Sequence, residues 1–305
     1  MAFPFEPNRQ SKRPGFYDIR TDLPGFETIE DATKESLIRQ KALIKGGHPR
    51  LAKKLGDCNR DYRCTSPACP QCARINRRGF YHAANTLVKQ HNRANQRTAT
   101  LIYYSEAMTN EELEHFDPKQ LKDRLRQQLT RSGFRHPVIG GLELDYHEDI
   151  GLWIPHFHLL VVDDISPLAA LREKYLTKEK RPTPDNPPTS YISRSMMVQI
   201  LKHPPKQLSY LCKQRWQSIR AYIDIVTGKR RTKKYRLNRY AFILSLTVLD
   251  SYTFSDLMLT YKVRVISNQF KVTPPVCEQK AENPRKLRIN PSLSEREGKL
   301  RRDDC

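Results

Sequence analysis

The sequence predicts an α+β domain, an antiparallel sheet with flanking helices. Two segments, 141–146 and 156–162, are rich in aliphatic and β-branched residues and predict a β-hairpin with a turn at 147–151. Stretches with a helical spacing of apolar residues precede and follow this hairpin. The order strand, helix, hairpin, helix, strand, helix favours an antiparallel sheet with helices packed on it.

The other elements follow from the same two patterns. The spacing of apolar residues predicts helices at 32–44, 72–93, 110–132, 166–178 and 205–222. β-Branched and aromatic content predicts strands at 97–104 and 190–200. Pro118 divides the third helix, and Gly133 ends it. Residues 240–267 predict a further helix and strand that complete the domain.

Composition divides the chain into four parts. Residues 1–50 predict a loosely ordered arm, 51–95 a cysteine-rich zinc knuckle with its helix, 96–270 the main domain, and 271–305 a disordered tail. Prolines at positions 4, 7, 14 and 24 support the first assignment. The tail ends in the charged run SEREGKLRRDDC, which supports the last.

Charge and hydropathy limit the possible partners. The chain has 54 Lys and Arg against 33 Asp and Glu, and this net charge of +21 predicts a polyanionic partner, nucleic acid first and an anionic membrane surface second. No 18-residue apolar run and no apolar signal-peptide core are present. We therefore expect a cytoplasmic protein with no membrane partner.

Four cysteines within 15 residues predict a closed, structural zinc site near the amino terminus. They are Cys58, Cys64, Cys69 and Cys72, and the last two form a C-x2-C knuckle. His82 is a possible substitute ligand. Two alternatives remain: only Cys69 and Cys72 act, or they form a redox pair, which normally follows a strand in a βαβ unit that this segment lacks.

Two groups of basic residues are candidates for contact with a nucleic-acid backbone. Arg74, Arg77 and Arg78 recur at helical spacing after the cysteines. The segment 229–239 contains seven bases and no acid, which indicates either backbone contact or a solvated loop. Its candidate contacts are Lys229, Arg230, Arg231, Lys233 and Lys234.

His156 and His158 are candidate metal ligands. Residues i and i+2 of a strand share one face, so both imidazoles lie on one side of the sheet. Folding the hairpin brings Glu143 opposite His156, and Asp145 is the second candidate carboxylate. Two imidazoles and a carboxylate suit a divalent ion with room for substrate oxygens, and residues 136–171 contain no Lys or Arg to oppose it. The alternative is a polar hairpin with two structural histidines.

A metal site in a basic chain indicates phosphodiester chemistry, which needs a nucleophile. Tyr210 is followed by Lys213, and positions i and i+3 are neighbours on a helix. The ammonium is expected to lower the pKa of the phenol or to offset charge on the phosphate. Tyr175, with Lys178, is a second match on the helix that leaves the hairpin. Tyr210 is favoured because a further strand and helix can carry it back across the sheet to the metal.

Together these motifs resemble the HUH endonucleases, and among them the rolling-circle replication initiators of small bacterial plasmids. The likeness covers about residues 58–222. It consists of His156-Phe157-His158 followed by aliphatic residues, the later Tyr-x-x-Lys, the upstream strands with Leu-Glu and Thr-Ala-Thr-Leu, and the cysteine knuckle followed by arginines.

The resemblance implies that residues 96–270 form a nuclease domain that nicks one DNA strand at a replication origin. His156, His158 and Glu143 would hold Mg²⁺ or Mn²⁺, and the cysteines Zn²⁺. Tyr210 would attack the scissile phosphate to give a 5′-phosphotyrosine and a 3′-hydroxyl for a host polymerase. Single-stranded or cruciform origin DNA would be the substrate, and a host helicase the partner, because the chain has no G-x-x-x-x-G-K-[ST] motif.

Two positions depart from the pattern of that family. Gln214 stands where relatives with two catalytic tyrosines have the second, which implies a single-tyrosine enzyme. Lys206 stands where some plasmid initiators have a carboxylate that ends replication. The residue that resolves a second strand transfer is therefore not evident from the sequence.

Two other functions fit the same residues. A transposase or phage initiator of the HUH type would keep the chemistry and differ in its genetic setting. A zinc-knuckle nucleic-acid-binding protein without catalysis would use His156 and His158 only as structural residues. A covalent protein–DNA adduct distinguishes this last alternative from the enzymes.

Overall fold

The computed structural model describes residues 4–5, 27–182, 194–228 and 230–273. The helices are α1 Ile29–Lys45, α2 Pro49–Gly56, α3 Pro70–Lys89, α4 Asn110–Leu113, α5 Pro118–Arg131, α6 Ile165–Lys174, α7 Pro204–Tyr210 and α8 Arg239–Ser251. The strands are β1 Arg97–Ile102, β2 Val138–His147, β3 Leu152–Val161, β4 Met196–Ile200, β5 Ser218–Ile223, β6 Arg230–Tyr235, β7 Met258–Tyr261, β8 Val263–Ile266 and β9 Gln269–Val272.

The predicted α+β class is confirmed, with a sheet in which most pairings are antiparallel. Its strands run in the order β4-β1-β3-β2-β5-β6, and β7 also pairs with β2. The second edge of β2 is therefore shared: β7 pairs with its first half, and β5 pairs with its last two residues. The β2–β5 pairing is the parallel one. Strands β8 and β9 form a separate hairpin.

Side chains alternate across β3, so the sheet has two differently covered faces. Phe157 and Leu159 point into a core cluster that includes residues of α1, α2, α4, α5, α6 and α8. Leu160 points into a second cluster formed with α3, α7 and the β8–β9 hairpin. The two histidines of β3 share the face of Leu160, and that face carries the candidate site.

One predicted helix is wrong in its second half. The helix expected at 205–222 ends at Tyr210, and residues 218–223 form strand β5. Gln214 has a φ of +46°, a left-handed conformation that a continuing helix does not allow. The apolar residues of this stretch fit both the helical and the strand spacing. Residues 218–223 form a strand because they pair with β2 and β6.

Other boundaries also differ from the predictions. The basic segment 229–239 is not a loop, because its residues 230–235 form β6 at the edge of the sheet. The helix predicted at 32–44 is present as α1, which is longer, 17 residues, and begins with a capping box between Thr28 and Asp31. Most of the strand predicted at 190–200 and the tail from residue 274 lie outside the described residues. Among the described helices, none is both long and apolar enough to cross a membrane.

Candidate metal and tyrosine site

The β2–β3 hairpin places the predicted metal ligands opposite one another. Glu143 is paired with His156, and Gly141 with His158, in the register of this hairpin. The short turn from His147 to Leu152 fixes that register, as expected for a tight hairpin connection. Glu143, His156 and His158 thus lie on one face of the sheet, all buried.

The donor atoms of these three residues converge. The Glu143 carboxylate oxygen Oε2 lies 3.8 Å from Nε2 of His156 and 3.8 Å from Nε2 of His158. One donor atom from each residue lies within 4.8 Å of the others, so the group can hold a metal ion. One carboxylate and two imidazoles are ligands that divalent cations accept.

Unpartnered atoms in this group fit such a cation. Both oxygens of Glu143 and the Nε2 of His158 are buried, and none has a hydrogen-bond partner in the part of the chain that the structure describes. Burial of a carboxylate without a partner is unfavourable. A cation bound between the two residues would satisfy all three atoms at once.

Hydrogen bonds to the far side of each imidazole orient the rings. Thr100 Oγ1 lies 3.0 Å from Nδ1 of His158, and the carbonyl oxygen of Ile154 lies 3.4 Å from Nδ1 of His156. Each bond leaves Nε2 directed toward Glu143. Such partners behind a ligating histidine are typical of metal centres.

Burial sets the protonation of the group. It lowers the pKa of His156 despite the opposing charge of Asp145, and it lowers the pKa of His158 well below its usual value. It raises the pKa of Glu143 to about 7, an effect that Lys234 reduces and Asp145 reinforces. Both imidazoles are therefore neutral at pH 7, the form that binds a metal.

Asp145, the second candidate carboxylate, has other partners. Its Oδ2 accepts a hydrogen bond of 2.8 Å from Nζ of Lys234, and its Oδ1 accepts one of 3.1 Å from the backbone N–H of Gln217. Burial acts to raise its pKa, but the charges of His156 and Lys234 with these hydrogen bonds bring the pKa below its usual value. Asp145 is thus ion-paired with Lys234 and lies beside the group formed by Glu143, His156 and His158.

Tyr210 lies beside the metal group, on the same face of the sheet. Its ring meets the ring of His158 edge-on, with 4.8 Å between centroids. The residue is 37% exposed, so part of it is open to solvent. Burial and the charge of Glu143 raise the pKa of the phenol, and Lys234 opposes both.

The lysine next to the phenolic oxygen is Lys234, although the sequence favoured Lys213 for this position. Nζ of Lys234 lies 3.4 Å from the Tyr210 hydroxyl. Lys213 follows the end of α7, so its Nζ lies over the ring face at 5.4 Å from the centroid and donates to Gln217 Oε1 at 3.0 Å. The sequence predicts Lys234 only as a contact to the DNA backbone.

The alternative nucleophile, Tyr175, lies elsewhere. It packs, half-buried, against the core cluster that contains Phe157, which is the opposite face of the sheet from the histidines. Of the two tyrosines followed by a lysine three residues on, the structure brings only Tyr210 to the metal group.

Close backbone packing positions Tyr210. A Cβ on Gly141 would lie 2.5 Å from the carbonyl oxygen of Leu211, so only glycine lets the end of α7 approach β2 this closely. On the other side, Nε of Arg77 donates a 2.6 Å hydrogen bond to the carbonyl oxygen of Ser209. Helix α3 and strand β2 together fix the backbone on both sides of the tyrosine.

The arginines of α3 do not form the open phosphate-facing surface that the sequence predicted. Arg74, Arg77 and Arg78 are all buried. Arg74 donates from Nε to the carbonyl oxygen of Glu27 at 2.8 Å, and Arg77 forms an ion pair of 2.7 Å with the Glu27 carboxylate. They face inward because α3 packs its arginine side against α7 and the residues before α1.

The β5–β6 hairpin carries the remaining predicted contacts. Successive residues of β6 point to opposite sides, so Lys234 reaches the site while Lys233 lies over the Tyr235 ring at 5.4 Å. Arg231 forms an ion pair of 2.7 Å with Asp224. At the connecting turn, Ile225 and Val226 are 98% and 94% exposed. Lys229 and the side chain of Arg230 lie outside the described residues.

The four predicted cysteines form the second group that can hold a metal ion. Cys58, Cys64, Cys69 and Cys72 place their sulfurs within 4.8 Å of one another, and none is in a disulfide. The Cys58–Cys72 and Cys64–Cys72 sulfur distances are 3.5 and 3.7 Å. Tetrahedral thiolates about 2.3 Å from an ion lie about 3.8 Å apart.

The location of this group differs from the prediction. Helices α1 and α2 precede the cysteines, so the group does not lie at the amino terminus. Cys69 and Cys72 begin α3, and Arg39 of α1 donates to the carbonyl oxygen of Ala68 at 2.9 Å beside them. His82, the possible substitute ligand, does not belong to the group.

The sequence did not assign three residues to this site: Thr100, Gln217 and Lys234, of which it indicated Lys234 only as a backbone contact. Thr100 alternates with Thr98 on a strand whose register places it opposite His158, so strand pairing could have identified it. Comparisons with protein-family models, with curated proteins and with solved structures find no match for this chain. The site is therefore interpreted from its geometry.

Proposed function

We propose that this protein is a metal-dependent DNA nicking and joining enzyme of the HUH type, acting as a rolling-circle replication initiator. One observation carries the proposal: a buried carboxylate–imidazole group with unpartnered donor atoms lies 4.8 Å, ring to ring, from an accessible tyrosine. Structural histidines would not need a carboxylate without partners between them. The net charge of +21 supports a nucleic-acid substrate.

Glu143, His156 and His158 are the proposed ligands of Mg²⁺ or Mn²⁺. A bound divalent ion would supply Lewis-acid polarisation of a phosphate oxygen. A phosphate bound to such an ion would lie on the face of the sheet that also carries Tyr210. The hydroxyl of Tyr210 is the proposed nucleophile for that phosphate.

The proposed reaction exchanges one phosphodiester for another. The Tyr210 oxygen bonds to phosphorus while the bond from phosphorus to the 3′-oxygen breaks. The phenolic proton leaves to solvent, and the 3′-oxygen takes up a proton to become a hydroxyl. The product is a 5′-phosphotyrosine, and attack of a 3′-hydroxyl on it rejoins the strand. A host polymerase would extend the 3′-hydroxyl during replication.

Lys234 is the proposed stabiliser of the phenolate. Burial acts to lower its pKa, but Asp145 and Glu143 outweigh this and raise the pKa above its usual value. It therefore stays charged at neutral pH and acts as a cation rather than as a base. Its position 3.4 Å from the hydroxyl opposes the rise in the pKa of Tyr210 that burial causes.

The rest of the molecule supports the same proposal. We assign structural Zn²⁺ to the four-cysteine group, because four thiolates leave no open position for a substrate. The basic β5–β6 hairpin is the proposed contact to the backbone of single-stranded or cruciform origin DNA. A host helicase would unwind the duplex. A transposase or phage initiator would use the same chemistry, and its genetic setting would distinguish it.

A covalent adduct tests the proposal. The protein is incubated with Mn²⁺ and single-stranded oligonucleotides that tile both strands of its own replicon, then run on a denaturing gel. An adduct is expected that Tyr210→Phe and His158→Ala abolish and that Tyr175→Phe, the matched control, retains. An adduct lost only in Tyr175→Phe would identify Tyr175 as the nucleophile instead. Absence of any adduct would overturn the enzyme and favour a zinc-knuckle nucleic-acid-binding protein.

A further inference from the structure

We propose that the cavity beside Tyr210 binds the nucleobase of one nucleotide that flanks the scissile phosphate, and that it sets the base preference of the nick at that position. The inference rests on the proposed nicking function and adds the source of its sequence specificity. The cavity has a volume of about 350 Å³ and opens between β1, β4 and α7. Sites for small organic ligands begin at roughly this size, about 300 Å³.

The cavity adjoins the reacting groups. His158 and Tyr210 form part of its wall, so a group inside it lies next to the phenol and to a proposed metal ligand. A DNA strand whose phosphate sits at the metal group has a neighbouring base within one sugar of that phosphate. The cavity is the described pocket into which such a base can turn.

The lining has the chemistry of a site for a neutral heteroaromatic ring. Met197 and Leu211 provide apolar walls, and the ring of Tyr210 offers a surface for stacking. Lys206, exposed at the rim, can meet the phosphate of the same nucleotide. No carboxylate lines the cavity in the part of the chain that the structure describes.

Two glutamines lie on the wall, and they are not equivalent. The Gln207 amide already has hydrogen-bond partners in the protein. Its Nε2 donates to the carbonyl oxygen of Ile200 at 3.0 Å, and its Oε1 accepts from the N–H of His203 at 2.9 Å. The Gln199 side chain makes no hydrogen bond within the described residues. A free amide can pair with the edge of a base, most favourably with adenine.

Strand β4 supplies a matched control. Met197 and Gln199 point into the cavity, whereas Ile200 lies on the opposite face of the same strand. Met197 and Ile200 are 42% and 50% exposed, so truncating either removes an apolar side chain of similar exposure. Met197→Ala alters the lining of the proposed base site, and Ile200→Ala does not.

The test uses a library of single-stranded DNA with a randomised segment, incubated with the full chain and Mn²⁺. Both products are sequenced, the fragment attached to protein and the released fragment with a 3′-hydroxyl. For the wild type we expect one position next to the nick to show a base preference on the order of tenfold, the discrimination of a single base contact. Gln199→Ala and Met197→Ala should reduce that preference severalfold at that position alone, and Ile200→Ala should leave it unchanged.

Three results would overturn the inference. Adducts without any preference next to the nick would show that the cavity reads no base. A preference that Gln199→Ala and Met197→Ala leave intact, or that Ile200→Ala reduces equally, would place the readout elsewhere. In these cases the nicking function stands. Absence of adducts from the whole library would instead remove the proposed function, and this inference with it.

Discussion

Lys234 Nζ donates a 2.8 Å hydrogen bond to Asp145 Oδ2, and this ion pair joins the edge hairpin β5–β6 to the strand that carries Glu143. The two residues are 89 positions apart in the chain. The pair places a permanent cation beside the Tyr210 hydroxyl. The sequence indicates the second strand of this hairpin only as a basic segment, and the fold brings it to the candidate site.

Replacing Lys234 should slow the chemistry without removing the protein's affinity for DNA. We expect Lys234→Ala to reduce the rate of adduct formation at saturating DNA by about 100-fold, the effect of losing one preorganised charge in a reaction centre. Lys233→Ala is the matched control, because its ammonium lies over Tyr235. It should weaken DNA binding and leave the saturated rate within about twofold. Equal rates for the two variants would contradict the role of Lys234.

Replacing Glu143 should separate metal binding from stability. In the presence of a chelator, Glu143→Gln should raise the melting temperature by several degrees, because it removes a buried carboxylate without partners. Mn²⁺ should stabilise the wild type and have no effect on the variant. Differential scanning fluorimetry with and without Mn²⁺ measures both effects. A variant that Mn²⁺ still stabilises would exclude Glu143 as a ligand.

The cysteine group should bind one zinc ion per chain. Cys72→Ser should lose the zinc and lower the melting temperature, because an ion bound there would join the start of α3 to the loop that follows α2. Cys212→Ser is the control, since Cys212 is also buried but lies outside the group. Metal analysis of the purified variants checks the expectation. Full zinc content in Cys72→Ser would contradict it.

Stability should fall in acid partly through His147. Burial, and then the charge of Arg181, lower the pKa of His147 to about 4 from the model-peptide value near 6.5. The unfolded chain therefore binds more protons between these values, so stability is complete above pH 6.5 and decreases as the pH falls toward 4. The loss is up to about 3 kcal/mol.

His147→Gln removes this titration and serves as the comparison. Urea unfolding of both proteins between pH 7 and pH 4 should show the smaller loss in the variant. Parallel curves for the two proteins would show that His147 titrates alike in the folded and unfolded chains.

Gly141→Ala should disturb the site through packing alone. The added methyl would meet the Leu211 carbonyl, a backbone atom, at 2.5 Å, so α7 must move. We expect a loss of about 1–3 kcal/mol in stability and a clear loss of adduct formation. Gly47→Ala is the control: its φ of +82° makes it strained, but it lies in open space. It should lose stability without losing adduct rate.

The metal group was predictable because it depends on local rules. Alternation places His156 and His158 on one face, and a short turn fixes Glu143 opposite His156. Neither needs information from distant parts of the chain. The four cysteines were predictable for the same reason, since they lie within 15 residues.

The remaining features depend on long-range packing. The helix expected through residue 222 ends at Tyr210 because β5 pairs with β2, a strand about 70 residues earlier. Burial of Arg77 depends on Ser209 and Glu27, neither of which its own helix indicates. Lys234 could not be distinguished from its basic neighbours, because only the fold shows which side of β6 faces Asp145.

The exposed turn at Ile225 and Val226 lies between Tyr210 and Lys234 in the chain, although the two side chains meet in space. Two polypeptides divided at this turn would each lack one of the pair. Under the proposed chemistry, neither fragment would mark DNA efficiently alone, and their reassociation would restore the reaction. The fold thus offers a natural place to divide the protein into a conditional, two-fragment labelling tool.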